Sequence, residues 1–322
     1  MSPYSMSRRN VLRAITATAA TAVPLLGAGT ARAAVPASAQ FVLDGPGGNP
    51  VWKRSLHANW VMQSFAYDNT NGHIYFAQTS PGSTNGDLWI TKTDLAGTEL
   101  GAMALHGFGH GVSIAVEPYN GAVHLWTEWK SGSSGFGTRI GRFVFAAGST
   151  LEAGDASIQD RTPSLDTTLI NPQPAIDPVS GRLLVRYKVA ADMPRIVVFN
   201  LSDARAGRLT SGYRLAERAL PSRGSWGTAN PFQGFTAYGQ YAYLLEGPVG
   251  TTSYLTTIDL NDVGQSTVVD RFATTAGASL PGREPEGMAI WATSSGPRLA
   301  FGFHSNTGGT RQASVFYKST LR

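Results

Sequence analysis

The chain contains no cysteine in 322 residues, so disulfide staples, thiol nucleophiles and cysteine-type zinc or iron–sulfur sites fall outside its chemistry. Charge is scarce at 15%, which argues against both a disordered chain and a coiled coil. The HExxH, GxSxG, Walker and EF-hand signatures are all missing. The glycine-rich run Ser131–Gly137 is followed by neither a helix pattern nor Lys-Ser/Thr, so it reads as a loop between strands. Acidic residues are absent from the first 33 positions, which hold Arg8, Arg9, Arg13 and Arg32 and so carry four of the five net positive charges. The 289 residues that follow are nearly neutral. A near-neutral domain lacks the concentrated basic face that a phosphate backbone demands, and no nucleic-acid partner is expected.

What is present is glycine (37), proline (18) and aromatic residues (10%), the composition of short strands joined by tight turns. The N-terminal segment is organised as a targeting signal. Arg8-Arg9 precede an apolar stretch from Ala14 to about Gly29, and Ala31-Arg32-Ala33 offers small residues before a cut at Ala34. Paired arginines ahead of hydrophobes resemble the twin-arginine export motif. The apolar stretch is broken by Pro24 and two glycines near its end, and a membrane span needs about 20 predominantly apolar residues. The expectation is therefore a signal peptide over 1–33, a single domain over 34–322, export by the twin-arginine route, an extracellular or cell-wall location, and no transmembrane segment in the mature chain.

Five segments repeat one design of apolar strand, turn and second apolar strand: Ser64–Gln78, Ser113–Trp129, Gln173–Tyr187, Gly234–Gly247 and Gly287–Phe303. With Ala66, Ala115, Ala175, Thr236 and Ala289 aligned, the spacings are 49, 60, 61 and 53 residues. Each pair is followed by a third strand-like run, and the first four units by a fourth. Four strands per unit at this period predicts an all-β fold, a five-bladed β-propeller. The last unit has only three strands before Arg322, while an orphan apolar segment, Ala37 to Leu43, precedes the first. A propeller has to hide its sheet edges, so an N-terminal strand, read as Ala37 to Leu43, is expected to complete the fifth blade. A β-sandwich also shows short alternating strands, yet leaves five similar units unexplained.

Residues just upstream of each innermost strand open onto one face of such a fold. Gln63, Gln233 and Glu286 occupy the same aligned position, with His110 and Gln173 within two positions of it. Alternatively, they satisfy strand ends or hold water along the axis. Neighbours add His57, Asn59 and Trp60 ahead of the first unit, and His106 beside His110. Arg283-Glu284-Pro285-Glu286-Gly287 is the densest constellation, fit either for a surface ion pair or for gripping an anionic ligand. His110 is the best candidate for proton transfer, since only His titrates near neutrality unshifted. Glu246, Arg186, Tyr187 and Lys188 close second strands and read as solvated rim residues. Trp52, Trp60, Trp126, Trp129, Trp226 and Trp291 offer faces for sugar stacking, with core packing the simpler assignment at half or more of them.

Gln233-Gly234 at one strand start, followed by Arg283-Glu284-Pro285-Glu286-Gly287 at the next, resembles the β-propeller family shared by teichoic acid biosynthesis protein C and staphylococcal phage receptor-binding proteins. The likeness is close over the last two units, and the blade pattern extends it over about 40–322. It implies a propeller directed at cell-surface glycopolymers, because phage members recognise wall teichoic acid. Some secreted propellers of similar outline are polysaccharide lyases that release rhamnose from glucuronic acid. Carried over, that chemistry would use His110 or His57 to move a proton and Arg283 to neutralise the uronate carboxylate.

The expected function is a secreted propeller engaging an extracellular or cell-wall carbohydrate, teichoic-acid-like or uronic-acid-containing, through Trp60, Gln63, Gln173, Gln233, Glu284 and Glu286. The alternative is a lyase cleaving a rhamnosyl-glucuronate or other uronate linkage by β-elimination, ahead of a glycoside hydrolase, which needs two opposed carboxylates. A protein-interaction scaffold is the weaker alternative. No cofactor or metal ligand is predicted from the motifs, with a divalent ion such as calcium left open.

Overall fold

The computed structural model describes residues 35–80, 85–191, 193–221, 230–262 and 268–322. The predicted signal peptide and Trp226 lie outside them. The remainder is a five-bladed β-propeller. Blade 1 consists of Met62–Asp68, His73–Thr79, Leu88–Asp94 and Glu99–His106, and blade 2 of Ile114–Tyr119, Ala122–Ser131, Gly137–Val144 and Gln159–Asp160. Blade 3 is Ile170–Asp177, Arg182–Lys188, Pro194–Asn200 and Arg214–Ala219; blade 4 is Phe232–Tyr238, Tyr241–Glu246, Ser253–Asp259 and Val268–Thr274. Blade 5 takes Glu284–Thr293, Gly296–Thr307 and Thr310–Lys318 from the C-terminal end of the chain, and Gly47–Arg54 from its beginning.

An N-terminal strand does close the last blade, but it is Gly47–Arg54, paired antiparallel with Thr310–Lys318, and not Ala37–Leu43. The earlier segment makes only an isolated bridge, Phe41 with Leu321, while Phe41 and Leu43 fill the core beneath blades 4 and 5. The closing strand is an irregular edge with two register shifts, and it carries Pro50, Lys53 and Arg54, residues that blunt an exposed edge. A further excursion, Thr150–Glu152, leaves blade 2 and pairs in parallel with Glu99–His106 of blade 1. Blades 1 and 2 are thereby clipped together.

Local sequence accounts for the strand pairs. Asn120-Gly121 joins the first two strands of blade 2 with both residues at positive φ, 51° and 77°, the geometry a tight hairpin requires. The core lies in the seams between blades; Tyr75, Leu105, Ile114, Leu125 and Phe143 fill the seam from blade 1 to blade 2. The five innermost strands touch one another in a closed ring. Ala66, Ala115, Ala175, Thr236 and Ala289 face the axis and leave a void of only about 20 Å³, so small side chains seal the centre. Gly287 secures the last closure: it has φ of 76°, and a Cβ there would stand 2.7 Å from the Cα of Ser64. Its place in the Arg-Glu-Pro-Glu-Gly motif thus has a packing cause, the approach of blade 5 to blade 1.

Candidate functional site

A cavity of about 270 Å³ opens where the innermost strands begin. It gathers Gln63 of blade 1, His110 and Phe136 of blade 2, Gln173, Arg186 and Lys188 of blade 3, and Phe232 and Gln233 of blade 4. Residues up to 170 positions apart in sequence thereby become neighbours. Gln63 and Gln233 each sit where the pairing with the second strand shifts register, and such bulges re-aim side chains out of the pleat. Asn171, at φ 49°, lies in the corresponding irregularity of blade 3 and also lines the cavity.

Arg186 is the central charge. It is 5% exposed, donates from Nη1 to the side-chain oxygen of Gln173 at 2.9 Å, and lies over the Phe232 ring at 3.7 Å. Its Nε is buried without a hydrogen-bond partner. Burial pulls its pKa down to about 10, with Glu246 opposing, so the group stays charged at neutral pH. A buried cation whose bonded neighbour is a neutral amide is an open electrostatic demand. The solvated rim role expected for Arg186 is therefore corrected: the pleat turns it inward.

His110 lies beside Phe136, ring centroids 5.0 Å apart, and burial lowers its pKa, which keeps the imidazole neutral at pH 7. Its backbone is held by a residue that sequence reasoning passed over. Glu128 is 1% exposed and accepts the backbone N–H groups of Gly111 at 2.7 Å, Val112 at 3.3 Å and Gly137. Burial raises its pKa, with the surrounding backbone N–H groups, that of His110 among them, opposing the rise. Its signal in the sequence is one acid within the apolar run Leu125–Trp129.

The remaining predicted residues divide. Burial raises the pKa of Glu284, and the Gln233 side chain lies close enough to oppose that rise, which puts Glu284 at the edge of the cavity. Glu286, 3% exposed, is driven well above the usual carboxylate range by burial and by Glu284; neither acid lines the cavity. Opposite Glu284 in the sheet is His304, with a pKa lowered to about 4 by burial and by Arg311. Arg283 points elsewhere. Its guanidinium donates to the carbonyls of Ala276, Thr251 and Thr274 and stacks on Phe303 at 4.0 Å, so it sits apart from His110. His57 pairs with Glu99 at 2.9 Å against Trp89 on the outer part of blade 1, also outside the cavity. Trp60 is 37% exposed beneath Arg311, on the rim between blades 1 and 5. Trp126 and Trp129 are core residues, Trp291 stacks on Tyr67, and Trp52 is exposed.

Among the described residues no group of three or more His, Asp or Glu side chains is placed to hold a metal ion, and no helix is long and apolar enough to cross a membrane.

Fold and site together define a closed five-bladed propeller with a polar, arginine-centred mouth. The model of one family, the phage 5-bladed beta propeller receptor binding platform domain, matches residues 61–316, and the chain belongs to that family. A Bacillus subtilis (strain 168) protein provisionally named major teichoic acid biosynthesis protein C is 26% identical over 270 residues, covering 80% of this chain and 59% of the relative. The tail fiber of Staphylococcus aureus phage P68 superposes with a TM-score of 0.70 at 19% identity, over 86% of this chain and 54% of the fiber. This chain therefore spans little more than half of either relative. A GH43_1 enzyme from Xanthomonas citri, solved with xylotriose, matches at a TM-score of 0.50 and 12% identity over 84% of this chain and 92% of the enzyme, a likeness of fold alone.

Proposed function

We propose that this protein is an exported glycopolymer-binding propeller that engages an extracellular or cell-wall polymer at the mouth of its axis. The observation that carries the reading is Arg186, buried and charged, set among the amides of Gln63, Gln173 and Gln233 with the Phe232 and Phe136 rings alongside. Amides match sugar hydroxyls, aromatic faces match the apolar faces of sugar rings, and a guanidinium matches a phosphodiester or uronate oxygen. The teichoic acid name of the Bacillus relative and the receptor-binding description of the family support an anionic cell-surface polymer. The arginine pair at the N-terminus supports export by the twin-arginine route.

Binding is favoured over β-elimination on geometry. The lyase reading joins His110 or His57 to Arg283, but Arg283 is committed to three backbone carbonyls away from the mouth, and His57 is paired with Glu99 on the outer part of blade 1. The test is calorimetry of residues 34–322 against purified wall teichoic acid, a glucuronate-containing polysaccharide and a neutral glycan, with ultraviolet absorbance followed for unsaturated uronate. We expect one of the anionic polymers to bind, more weakly as salt rises, without product. Failure of all three to bind overturns the reading, and appearance of unsaturated product replaces it with the lyase.

A further inference from the structure

A second pocket, about 380 Å³, lies on the seam between blades 2 and 3, lined by Tyr119, Arg142, Gln159, Arg161, Ser202 and Arg205, with Ala206. Tyr119 ends the innermost strand of blade 2, whereas His110 precedes that strand. The pocket therefore belongs to the floor of the propeller, opposite the mouth. Three guanidiniums line it and, among the described residues, no carboxylate does.

The nearest acid is behind the wall and already satisfied. Glu117, 3% exposed, accepts from Nε of Arg142 at 2.8 Å, from Nε of Arg205 at 2.6 Å and from the Trp126 indole at 3.0 Å. Arg161 takes no part in this. It is nevertheless tied to Arg142, because the side-chain oxygen of Gln159 accepts from Arg142 Nη1 at 3.0 Å and from Arg161 Nη2 at 2.9 Å. Two guanidiniums sharing one neutral acceptor repel each other. Arg161 makes its other bond to the Asp160 carbonyl, while the Asp160 carboxylate is engaged by Arg139 and Thr162.

Two donors in this cluster are left over. Arg142, 3% exposed, has a buried Nη2 with no hydrogen-bond partner, and the buried Nε of Arg161 likewise has none. The cations are also pre-positioned. The Arg205 guanidinium lies 3.8 Å from the Tyr119 ring centroid, and Arg142 lies 5.8 Å from that ring and 5.7 Å from Trp126. A fixed surplus of guanidinium beside a hydroxyl, that of Ser202, is the donor set for a tetrahedral oxyanion, which accepts from several directions where a planar carboxylate is filled by a single fork.

We infer that the floor pocket is a phosphate-binding site, separate from the mouth, in which Arg142, Arg161 and Arg205 converge on one phosphate group. It shares no residue with the mouth, so its failure leaves the glycopolymer reading standing. The experiment is titration calorimetry of residues 34–322 with inorganic phosphate and, separately, with dimethyl phosphate, each against sodium chloride of equal ionic strength. Saturable binding of either ion supports the inference. Preference for inorganic phosphate identifies a terminal phosphate as the natural group, and preference for the diester a phosphate within a chain. Arg161→Gln removes the cation that Glu117 does not need and is expected to weaken binding at least tenfold while leaving the fold and the mouth intact; Arg205→Gln serves as the second variant. Heats no different from those of chloride, or Arg161→Gln binding as tightly as the parent, overturn it.

Discussion

The mouth and the floor of this propeller both hold buried guanidiniums and treat them differently. At the floor, Arg142 is neutralised by Glu117, which Arg205 also grips, and Arg161 is added in excess. At the mouth, Arg186 is bonded to an amide and stacked on a ring, with an unpartnered Nε. Arg283, buried in blade 5, shows a third solution, three backbone carbonyls. Burial of an arginine is thus no sign of a site by itself; the sign is charge and donors left over after the local partners are counted. By that measure Arg186 and Arg161 are available to a ligand and Arg283 is not.

The largest expected effect tests how the mouth is held in shape. Glu128→Ala leaves the buried N–H groups of Gly111, Val112 and Gly137 without their acceptor, at a cost of about 2–4 kcal/mol in unfolding free energy. It should also loosen the backbone that presents His110. Chemical denaturation gives the first quantity and loss of polymer affinity the second; a variant as stable as the parent would show that the carboxylate is not what organises this loop. Next comes Arg186→Gln, which keeps hydrogen-bonding capacity and removes the charge. Loss of a buried charged contact to an anionic ligand costs about 2 kcal/mol or more, roughly a 30-fold loss of affinity for the polymer by calorimetry, with phosphate binding at the floor unchanged. Equal loss at both ends would dissolve the distinction between them.

A third effect is electrostatic and can be read without a ligand. Burial, with Glu284 adding to it, holds the pKa of Glu286 well above the ordinary carboxylate value of about 4.5, so between that value and the higher folded value the native state carries more protons than the unfolded one. Stability therefore falls as pH rises through this window, by up to ~1.4 kcal/mol per pH unit from this group. Glu286→Gln should remove that slope and stabilise the protein at pH 8 relative to the parent. An unchanged pH profile would mean that Glu286 is ionised in the folded protein.

The blade period, the five-fold count and the convergence of Gln63, His110, Gln173 and Gln233 were legible in the sequence because they follow from repetition, which survives divergence in detail. The closing strand was misplaced because Gly47, Gly48 and Pro50 weaken the strand signal of Gly47–Arg54, whereas the apolar Ala37–Leu43 displays one and serves as core filler. Arg186 was misread because a charge at a strand end ordinarily reaches solvent; here Phe232 from the next blade covers it, a contact between residues 46 positions apart. The acids of Arg-Glu-Pro-Glu-Gly looked like one functional unit, but the pleat and the bulge divide them. Arg283 goes to the carbonyls between blades 4 and 5, Glu284 to Gln233, and Glu286 inward.

The smallest expected effect marks where the mouth ends. His57 and Glu99 are each more than a third exposed in their ion pair, and exposed pairs of this kind are worth ~0–1 kcal/mol. The His57 ring also packs on Trp89 at 4.4 Å, a contact that orients it along the outer part of blade 1. His57→Ala should therefore shift the melting temperature slightly and leave polymer affinity within twofold of the parent. Because the residue sits on the outer part of blade 1, away from His110 at the start of blade 2, a large loss of binding could not arise from the fold alone. It would require the polymer to run outward from the axis across blade 1, past Trp60 on the rim, and would make the mouth one subsite of a longer groove.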